Sequence, residues 1–260
     1  MVENSTIRLE MRGAVGIVRL DRPPVNAINR AMHRELTAVV AEIDRQPDCR
    51  AVVIHGGERV FAAGADIKEM AALDPSEIGV LGRSLTDAIS AVALLELPVI
   101  AAITGYALGG GLELALAADF RVVAEDASLG LPEITLGVIP GAVGTQRLPR
   151  LIGVAAAKKM IYFGEPVTGT EAVGLGLATL AVPADQVLLQ ALALAERLAA
   201  GPTRALAAAK QAIDVGIDHP VDDGRVLESR LFEKLFGSED QREGMRAFVA
   251  RSGPAHFTGR

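Results

Sequence analysis

Two glutamates stand alone in long apolar segments of the chain. Glu113 is the one charged residue within 97–118, and Glu133 is the one charged residue within 127–146. Because both segments are rich in Leu, Ile, Val, Ala and Gly, we expect both glutamates to lie in the interior. A buried, isolated carboxylate is costly, and it normally gains a partner or shifts its pKa upward. A carboxyl group with a raised pKa suits general acid–base catalysis near neutral pH.

A purely structural role is the alternative for each glutamate. Either side chain could cap a helix or pair with a distant arginine, and Arg147 stands at the edge of the second segment. For a single buried glutamate this explanation is the more frequent one. Two such residues, each beside a glycine-rich turn, make a catalytic role competitive, although the sequence alone does not place them in one cleft.

Two loops of small residues could bring backbone N–H groups to a ligand. Residues 105–111 (GYALGGG) lie between a predicted strand and a predicted helix, and residues 62–65 (AAGA) form a second such loop. Glycine allows close approach of the backbone, and free N–H groups at the start of a helix can stabilise an oxyanion. Tight packing of crossing elements is the alternative. The chain contains no Walker A loop, dinucleotide-binding fingerprint or Gly-x-Ser-x-Gly nucleophile motif.

Other candidates for chemistry are sparse. The four histidines show no metal-ligand spacing, and the single cysteine, Cys49, excludes an intrachain disulfide and a cysteine-based zinc site. We therefore expect no metal centre. Asp66 and Lys68, which follow the loop at 62–65, are expected to form a solvated pair unless they contact a ligand.

Hydrophobic periodicity places these loops within an α/β pattern. Strands and helices alternate up to about residue 182 and only helices follow, which predicts one α/β core with a helical C-terminal part. The predicted strands are 7–11, 14–20, 51–55, 99–103, 120–124 and 177–182. The predicted helices are 30–45, 79–95, 112–118, 185–200, 203–215, 221–236 and 239–251.

Composition restricts the class of protein. The 260 residues are 50% hydrophobic and 22% charged with a net charge of −6, which predicts a folded chain and argues against nucleic acid as a partner. The longest uncharged apolar segment, 97–112, is interrupted by Pro98 and several glycines, so we expect no membrane span. Residues 1–13 carry early charges and no apolar run, so we expect no secretory signal. One cysteine fits a reducing, cytoplasmic compartment.

Three sequence blocks resemble the crotonase (enoyl-CoA hydratase/isomerase) superfamily. They are FAAGADIKEM at 61–70, AAITGYALGGGLELA at 101–115 and LPEITLGVIPGAVGTQRL at 131–148. The resemblance covers essentially the whole chain. It implies an α/β fold with a crotonase-like spiral of ββα units and the acyl-CoA site in residues 1–200, and a C-terminal helical oligomerisation region in residues 201–260. It also implies an acyl-CoA thioester substrate, no cofactor besides the coenzyme A of that substrate, and a homotrimer or dimer of trimers.

The same resemblance implies roles for particular residues. Ala65 and Gly110 would donate backbone N–H groups to the thioester oxygen. Glu113 and Glu133 would form the acid–base pair that is characteristic of hydratases. Gly141 would donate its N–H near the water or hydroxyl group. The residues implied in CoA binding are Arg22, Val25, Ala63, Ala65, Asp66, Ile67, Lys68 and Phe257.

This chain departs from the family pattern around the CoA phosphates. Many relatives carry a lysine near the position of Pro24, where this chain offers only Arg22. Arg59 stands where relatives often have lysine, and the lysine that usually lies near the position of Phe257 is missing. These departures concern the phosphate contacts and leave the thioester chemistry intact.

The expected reaction is the reversible syn addition of water to trans-2-enoyl-CoA thioesters, as in fatty-acid β-oxidation-type metabolism. By analogy with the family, Glu133 would donate a proton to the α-carbon and Glu113 would activate the water. A Δ3,Δ2-enoyl-CoA isomerase needs only one acid–base group, and a carnitinyl-CoA-type dehydratase would keep both, so both alternatives stay open. A non-catalytic or RNA-binding relative is the alternative from another class, and the charge of −6 argues against it.

Overall fold

A computed structural model describes residues 5–260. Residues 1–4 lie outside the described residues, and with them the first part of the N-terminus that we expect to carry no secretory signal and of the predicted region 1–200. The strands are β1 (Ile7–Arg12), β2 (Val15–Leu20), β3 (Ala51–His55), β4 (Val99–Ile103), β5 (Tyr106–Leu108), β6 (Phe120–Ala124), β7 (Ser128–Gly130), β8 (Val167–Thr168) and β9 (Leu180–Val182). The helices are α1 (Arg30–Ile43), α2 (Ile67–Met70), α3 (Pro75–Ala93), α4 (Gly110–Leu116), α5 (Gly144–Ile152), α6 (Val154–Phe163), α7 (Gly169–Gly174), α8 (Val187–Ala199), α9 (Thr203–Gly216), α10 (Val221–Leu235) and α11 (Glu239–Ala250).

The main sheet has six strands in the order β1-β2-β3-β4-β6-β9. Strand β1 pairs antiparallel with β2, and every later pair in this sheet is parallel. All residues of β3 and β4 are buried, and their sequences are continuous apolar runs, because parallel strands are covered on both faces. Helix α8 packs against β2, β3, β4 and β6, while α1 packs on α3 and against β1. The α/β class predicted from the alternation of elements is confirmed.

A second, three-stranded sheet, β5-β7-β8, stands beside the first and was not predicted. Strand β5 pairs parallel with β7, and β7 pairs antiparallel with β8. The loop before α2 joins this sheet through a parallel bridge between Ala62 and Ala107. Since β5 leads directly into α4, the second sheet fixes where that helix begins.

Several predicted boundaries differ from the structure for local reasons. Helix α3 begins at Pro75 rather than 79, because Asp74 forms a capping box with Glu77 and holds the polar first turn in the helix. Helix α4 begins at Gly110 rather than 112, inside the glycine cluster itself.

The expectation that 127–146 is interior is wrong for its middle part. Pro132–Leu136 forms a 3-10 helix, and the chain from 134 to 139 is exposed, with Ile139 at 66% of its full accessible surface. Residues 127, 129 and 131 remain fully buried. Glu133 therefore lies at the boundary between the core and an exposed apolar loop, whereas Glu113 is buried at 2%.

The C-terminal helices follow a turn at 200–202. Helix α9 is joined to the core by Lys210, which forms an ion pair with Asp119 at 3.1 Å and donates a hydrogen bond to the carbonyl of Leu97. The division at residue 200 falls in this turn and stays a prediction. Among the helices described here, none is long and apolar enough to cross a membrane.

Candidate active site

Two glycines at the start of α4, Gly109 and Gly111, cannot take a side chain without strain or a shift of the backbone. Gly109 has a positive φ of 51°, which L residues with side chains rarely adopt. A Cβ on Gly111 would stand 2.2 Å from the carbonyl oxygen of Ala62. The glycines therefore let the N-terminus of α4 pack directly on the loop at 62–65.

This close approach brings two backbone N–H groups together. The position of a Cβ on Gly110 lies 3.5 Å from the backbone nitrogen of Ala65. The neighbours of Ala65 are fixed by a short parallel bridge, in which Ile28 N–H donates to Gly64 and Asp66 N–H donates to Ile28. Within residues 5–260, neither the Ala65 N–H nor the Gly110 N–H donates to a protein acceptor. Two free donors side by side form a site that can hold a carbonyl oxygen.

Glu113 lies one helical turn after Gly110, on the same face of α4. Its Oε1 accepts hydrogen bonds from the backbone N–H groups of Ala142 at 2.7 Å and Gly144 at 2.8 Å. Burial raises the pKa of the Glu113 carboxyl, and these two N–H groups oppose that rise because they stabilise the anion. The side chain is thus held in one orientation by two donors, which stabilise its ionised form more than its neutral form.

Glu133 approaches the same place from the first turn of the 3-10 helix. Its Oε1 lies 3.0 Å from the position that a Cβ on Gly109 would occupy. Its Oε2 is buried and has no hydrogen-bond partner among the described residues. Burial, reinforced by the negative charge of Glu113, raises the pKa of Glu133 to about 7. Burial thus raises the pKa of both carboxyl groups, but Oε2 of Glu133 has no donor among the described residues that would stabilise its ionised form.

The structure thus brings together the four residues at the centre of the predicted site, namely Ala65, Gly110, Glu113 and Glu133. Gly141 lies next to Ala142, which binds Glu113, and its carbonyl accepts a hydrogen bond from Thr86 Oγ1 at 3.1 Å. The Gly141 N–H donates to no acceptor among residues 5–260. Chemically, the arrangement places two carboxyl groups with different hydrogen-bonding surroundings beside two donors for an oxyanion.

Arg22 and Asp66 form an ion pair that the sequence did not predict. Arg22 Nη2 lies 2.7 Å from Asp66 Oδ2, and its Nη1 donates to the carbonyl of Ala27. Asp66 also caps α2 by accepting from the backbone N–H of Lys68 and of Glu69, and its hydrogen bond with Arg22 lowers the pKa of its carboxyl. The expected pair of Asp66 with Lys68 is therefore wrong, because Arg22 occupies the aspartate and the Lys68 side chain is left exposed.

The other residues implied in CoA binding lie around the same loop. Ala63 N–H donates to the carbonyl of Val25 at 3.0 Å, which joins the two chain segments. Val25 and Ile67 expose 39% and 46% of their surface although both are apolar. Lys68 is exposed as well, so three of the residues implied in CoA binding have accessible side chains.

Phe257 is the one predicted CoA-binding residue that lies elsewhere in the chain. Its carbonyl accepts from Arg50 Nη1 at 3.1 Å, and its ring packs on Gly244. Arg50 directly precedes β3, whereas the loop at 62–65 follows the opposite end of that strand. Within one chain, Phe257 is therefore not part of the site, because the C-terminal tail is fixed at the amino end of the parallel strands.

Sequence reasoning missed the groups that orient Glu113. Ala142 and Gly144 act through backbone N–H groups, which cannot be recognised from the residue type. The glycine at position 144 is visible in the sequence, and the structure gives its reason, because a Cβ there would stand 2.8 Å from Glu113 Oε1. A cleft of about 850 Å³ between the loop at 56–60 and residues 184–188 is lined by neither glutamate. Within residues 5–260, no group of three His, Cys, Asp or Glu side chains is arranged to hold a metal ion.

Comparison with known proteins identifies the class to which this fold and site belong. The family described as enoyl-CoA hydratase/isomerase matches residues 10–260. "Probable enoyl-CoA hydratase" of Rhizobium meliloti is 43% identical over 95% of both chains, and its Mycobacterium bovis counterpart is 41% identical over 98% of both. The crystal structure of an enoyl-CoA hydratase from Bacillus anthracis is 38% identical and superposes with a TM-score of 0.94 over 98% of this chain and 100% of that one.

This chain belongs to the enoyl-CoA hydratase/isomerase family. The resemblance seen in the three sequence blocks and the fold that it implied are thereby confirmed. The roles of individual site residues remain predictions.

Proposed function

We propose that this protein catalyses the reversible syn addition of water to trans-2-enoyl-CoA thioesters. The observation that carries the proposal is the difference in hydrogen-bond partners between the two glutamates beside the free N–H groups of Ala65 and Gly110. Hydration needs one group to take a proton from water and another to give a proton to carbon. Glu113, whose ionised form two N–H donors stabilise, suits the first task, and Glu133, with a pKa of about 7, suits the second.

The geometry supports a role for each group. The N–H groups of Ala65 and Gly110 hold the thioester oxygen as it becomes an enolate oxygen, and each such donor is worth about 2.7–4 kcal/mol of barrier. Glu113 accepts a proton from water as the water oxygen bonds to the β-carbon. Glu133 gives its proton to the α-carbon. The pair then returns to its starting state by passing one proton from Glu113 to Glu133, directly or through solvent.

The exposure of the Val25, Ile67 and Lys68 side chains supports binding of CoA along the loop at 62–67. Arg22 is already paired with Asp66, so we assign it to holding the loop as well as to the CoA phosphates. Phe257 lies at the far end of the sheet, and we propose that it contacts CoA only from a second copy of the chain.

We further propose a homotrimer or dimer of trimers, assembled through the region 201–260, in the cytoplasm and in fatty-acid β-oxidation-type metabolism. The apolar side chains exposed on α10 and α11 support association. Phe232 is 61% exposed, Phe248 85% and Val249 81%. The single cysteine, Cys49, is buried and free, as is usual in a reducing compartment.

A comparison of three substrates tests the function. Loss of the conjugated enone of crotonyl-CoA reports hydration, a 3-enoyl-CoA reports isomerisation, and carnitinyl-CoA reports dehydration of a special acyl group. We expect crotonyl-CoA to be turned over fastest. Faster turnover of either other substrate would replace the proposal with the corresponding alternative.

Variants of the two glutamates test the mechanism. Glu113→Gln and Glu133→Gln should each lower kcat by at least about 100-fold, because each removes a proton-transfer group, while CoA binding persists. Glu96→Gln is the matched control, since Glu96 is exposed and lies on no part of the site. Hydration at the parental rate by both site variants would contradict the mechanism.

A further inference from the structure

Val143 has a backbone conformation that its residue type disfavours. Its φ is +75° and its ψ is 6°, in the left-handed region, where β-branched residues are rare. Such outliers persist only where the surroundings hold them, and they are concentrated at functional sites. Val143 is the residue that directly precedes α5.

The residues on either side of Val143 are the two that bind Glu113. Ala142 N–H and Gly144 N–H both donate to Glu113 Oε1, at 2.7 and 2.8 Å. N–H groups of alternate residues converge on one anion when the residue between them turns to the left-handed conformation. An extended or right-handed residue at this position would point the two N–H groups in different directions.

Among residues 5–260, no hydrogen bond of Val143 itself explains the conformation. The Val143 side chain makes no capping hydrogen bond to α5, and the Val143 N–H donates to no acceptor among residues 5–260. Its carbonyl accepts the first hydrogen bonds of the helix, from Gln146 and Arg147. The N-terminus of α5 is thus capped by a side chain from another helix, the Glu113 carboxylate of α4, whose negative charge also suits the helix dipole.

Gly144 completes the arrangement. A Cβ at this position would stand 2.8 Å from Glu113 Oε1 and 3.0 Å from Glu113 Cγ. Any side chain would therefore displace the carboxylate that the two N–H groups hold. The segment Ala142-Val143-Gly144 thus binds one carboxylate oxygen through two backbone N–H groups and leaves no room for a side chain at position 144.

We propose that Val143 is a positioning residue, whose left-handed backbone directs the N–H groups of Ala142 and Gly144 onto the Glu113 carboxylate and so fixes the base for attack by water. The inference rests on the proposed hydratase function for its kinetic consequence. The backbone conformation, and not the isopropyl group, performs this role. Glu113 in turn holds the strained residue in place.

Two substitutions at one position separate backbone from side chain. Val143→Gly removes the side chain and allows a positive φ, whereas Val143→Pro fixes φ near −65° and also restricts Ala142. Proline costs no hydrogen bond here, because the Val143 N–H is unused. We expect Val143→Gly to keep most of the kcat for crotonyl-CoA and Val143→Pro to lose about 100-fold with little change in KM.

The pH profile distinguishes a positioning role from general damage. Without the two N–H donors the Glu113 pKa rises further, so the acid limb of kcat/KM should move to higher pH in Val143→Pro and stay in place in Val143→Gly. The proposal would be overturned if Val143→Pro had the kcat of the parent protein and an unchanged acid limb of kcat/KM. It would also be overturned if both variants lost the same fraction of kcat. An inactive parent protein would instead contradict the hydratase function. The coupling between the Val143 backbone and Glu113 would then be decided by thermal unfolding.

A thermal-unfolding cycle tests the coupling even if Val143→Pro does not fold. Val143→Gly relieves strain, so it should raise the melting temperature in the parent background. In the Glu113→Ala background the loop at 142–144 no longer binds a carboxylate and can relax. Val143→Gly should therefore raise the melting temperature less in this background, or lower it. The same increment in both backgrounds would show that the strain is independent of Glu113, which contradicts the proposal.

Discussion

At the scale of single residues, the two glutamates differ through their surroundings alone. Glu113 has two backbone donors, whereas one oxygen of Glu133 is buried without any partner among the described residues. Because the base must be ionised and the acid protonated, kcat/KM should follow a bell-shaped pH profile. We expect its alkaline limb near pH 7, where Glu133 of the free enzyme loses its proton. Initial rates with crotonyl-CoA measure this, and activity that stays constant well above that pH would contradict the assignment.

Glu133 should also lower the stability of the protein at alkaline pH. Its pKa rises from 4.5 in the unfolded chain to about 7 in the folded one, so the folded state binds more protons between these values. The free energy of unfolding therefore falls as the pH rises from 4.5 to about 7, because the buried Glu133 carboxyl must ionise. Above this range the loss of stability is complete, and we call it the Glu133 penalty. Glu133→Gln removes the penalty. After a discount for partial solvent exposure, we expect a gain of about 1 kcal/mol in unfolding free energy.

Melting curves measure that gain. It corresponds to an increase of about 2–4 °C in melting temperature above neutral pH, and it should vanish below the unfolded-state pKa. Glu96→Gln is again the matched control, because this side chain is exposed. A gain that is the same at acidic and alkaline pH would show that ionisation of Glu133 is not the cause.

Sequence patterns located Glu113 and Glu133 because a lone charge in an apolar segment is visible in residue types. They could not locate the partners of Glu113, since backbone N–H groups are the same in every residue except proline. They also could not show which cation would pair with Asp66. Arg22 is 44 positions away in the chain, and only the fold brings its guanidinium within 2.7 Å.

At the scale of elements, length decided what could be predicted. Strands β3 and β4 have five buried residues each, and such apolar runs were recognised. Strands β5, β7 and β8 have two or three residues, too few to show an alternating pattern. They pair because tertiary contacts bring them together, and together they place the start of α4. The part of the fold that positions the site was therefore the least visible in the sequence.

Adjacent glycines in α4 should respond differently to alanine. A Cβ on Gly111 would stand 2.2 Å from the Ala62 carbonyl oxygen, so Gly111→Ala must separate α4 from its loop and cost about 1–3 kcal/mol of unfolding free energy. A Cβ on Gly110 would make only ordinary contacts, the nearest at 3.5 Å to the Ala65 nitrogen. We expect Gly110→Ala to fold normally but to lose kcat, since its methyl group crowds the place of the thioester oxygen.

Chemical denaturation and crotonyl-CoA kinetics on both variants test this difference. Gly174→Ala is a suitable control for an alanine in a helix, because a Cβ there would meet nothing within 4 Å. Equal stability of the Gly110 and Gly111 variants would show that α4 can shift on its loop. Full activity of Gly110→Ala would remove Gly110 from the oxyanion site.

At the scale of the whole molecule, the C-terminal tail is fixed while the helices before it expose apolar side chains. Asp240 is buried and accepts from the backbone N–H groups of Thr258 and Gly259, and Arg50 holds the carbonyls of Gly201 and Phe257. A tail fixed at several points presents a defined surface. Exposed apolar side chains in such a surface mark an interaction site, which agrees with the assembly proposed for region 201–260.

Charge placed in that surface should therefore dissociate the assembly. Phe248 on α11 is 85% exposed, so Phe248→Glu removes no packing within one chain but buries a carboxylate if α11 lies between copies. We expect a smaller mass by light scattering and an increased KM for crotonyl-CoA, because Phe257 would lose its neighbouring site. Leu94→Glu is the matched control, since Leu94 is 80% exposed and outside the C-terminal helices. Dissociation by Leu94→Glu and not by Phe248→Glu would move the interface away from region 201–260, and a monomeric parent protein would exclude the assembly.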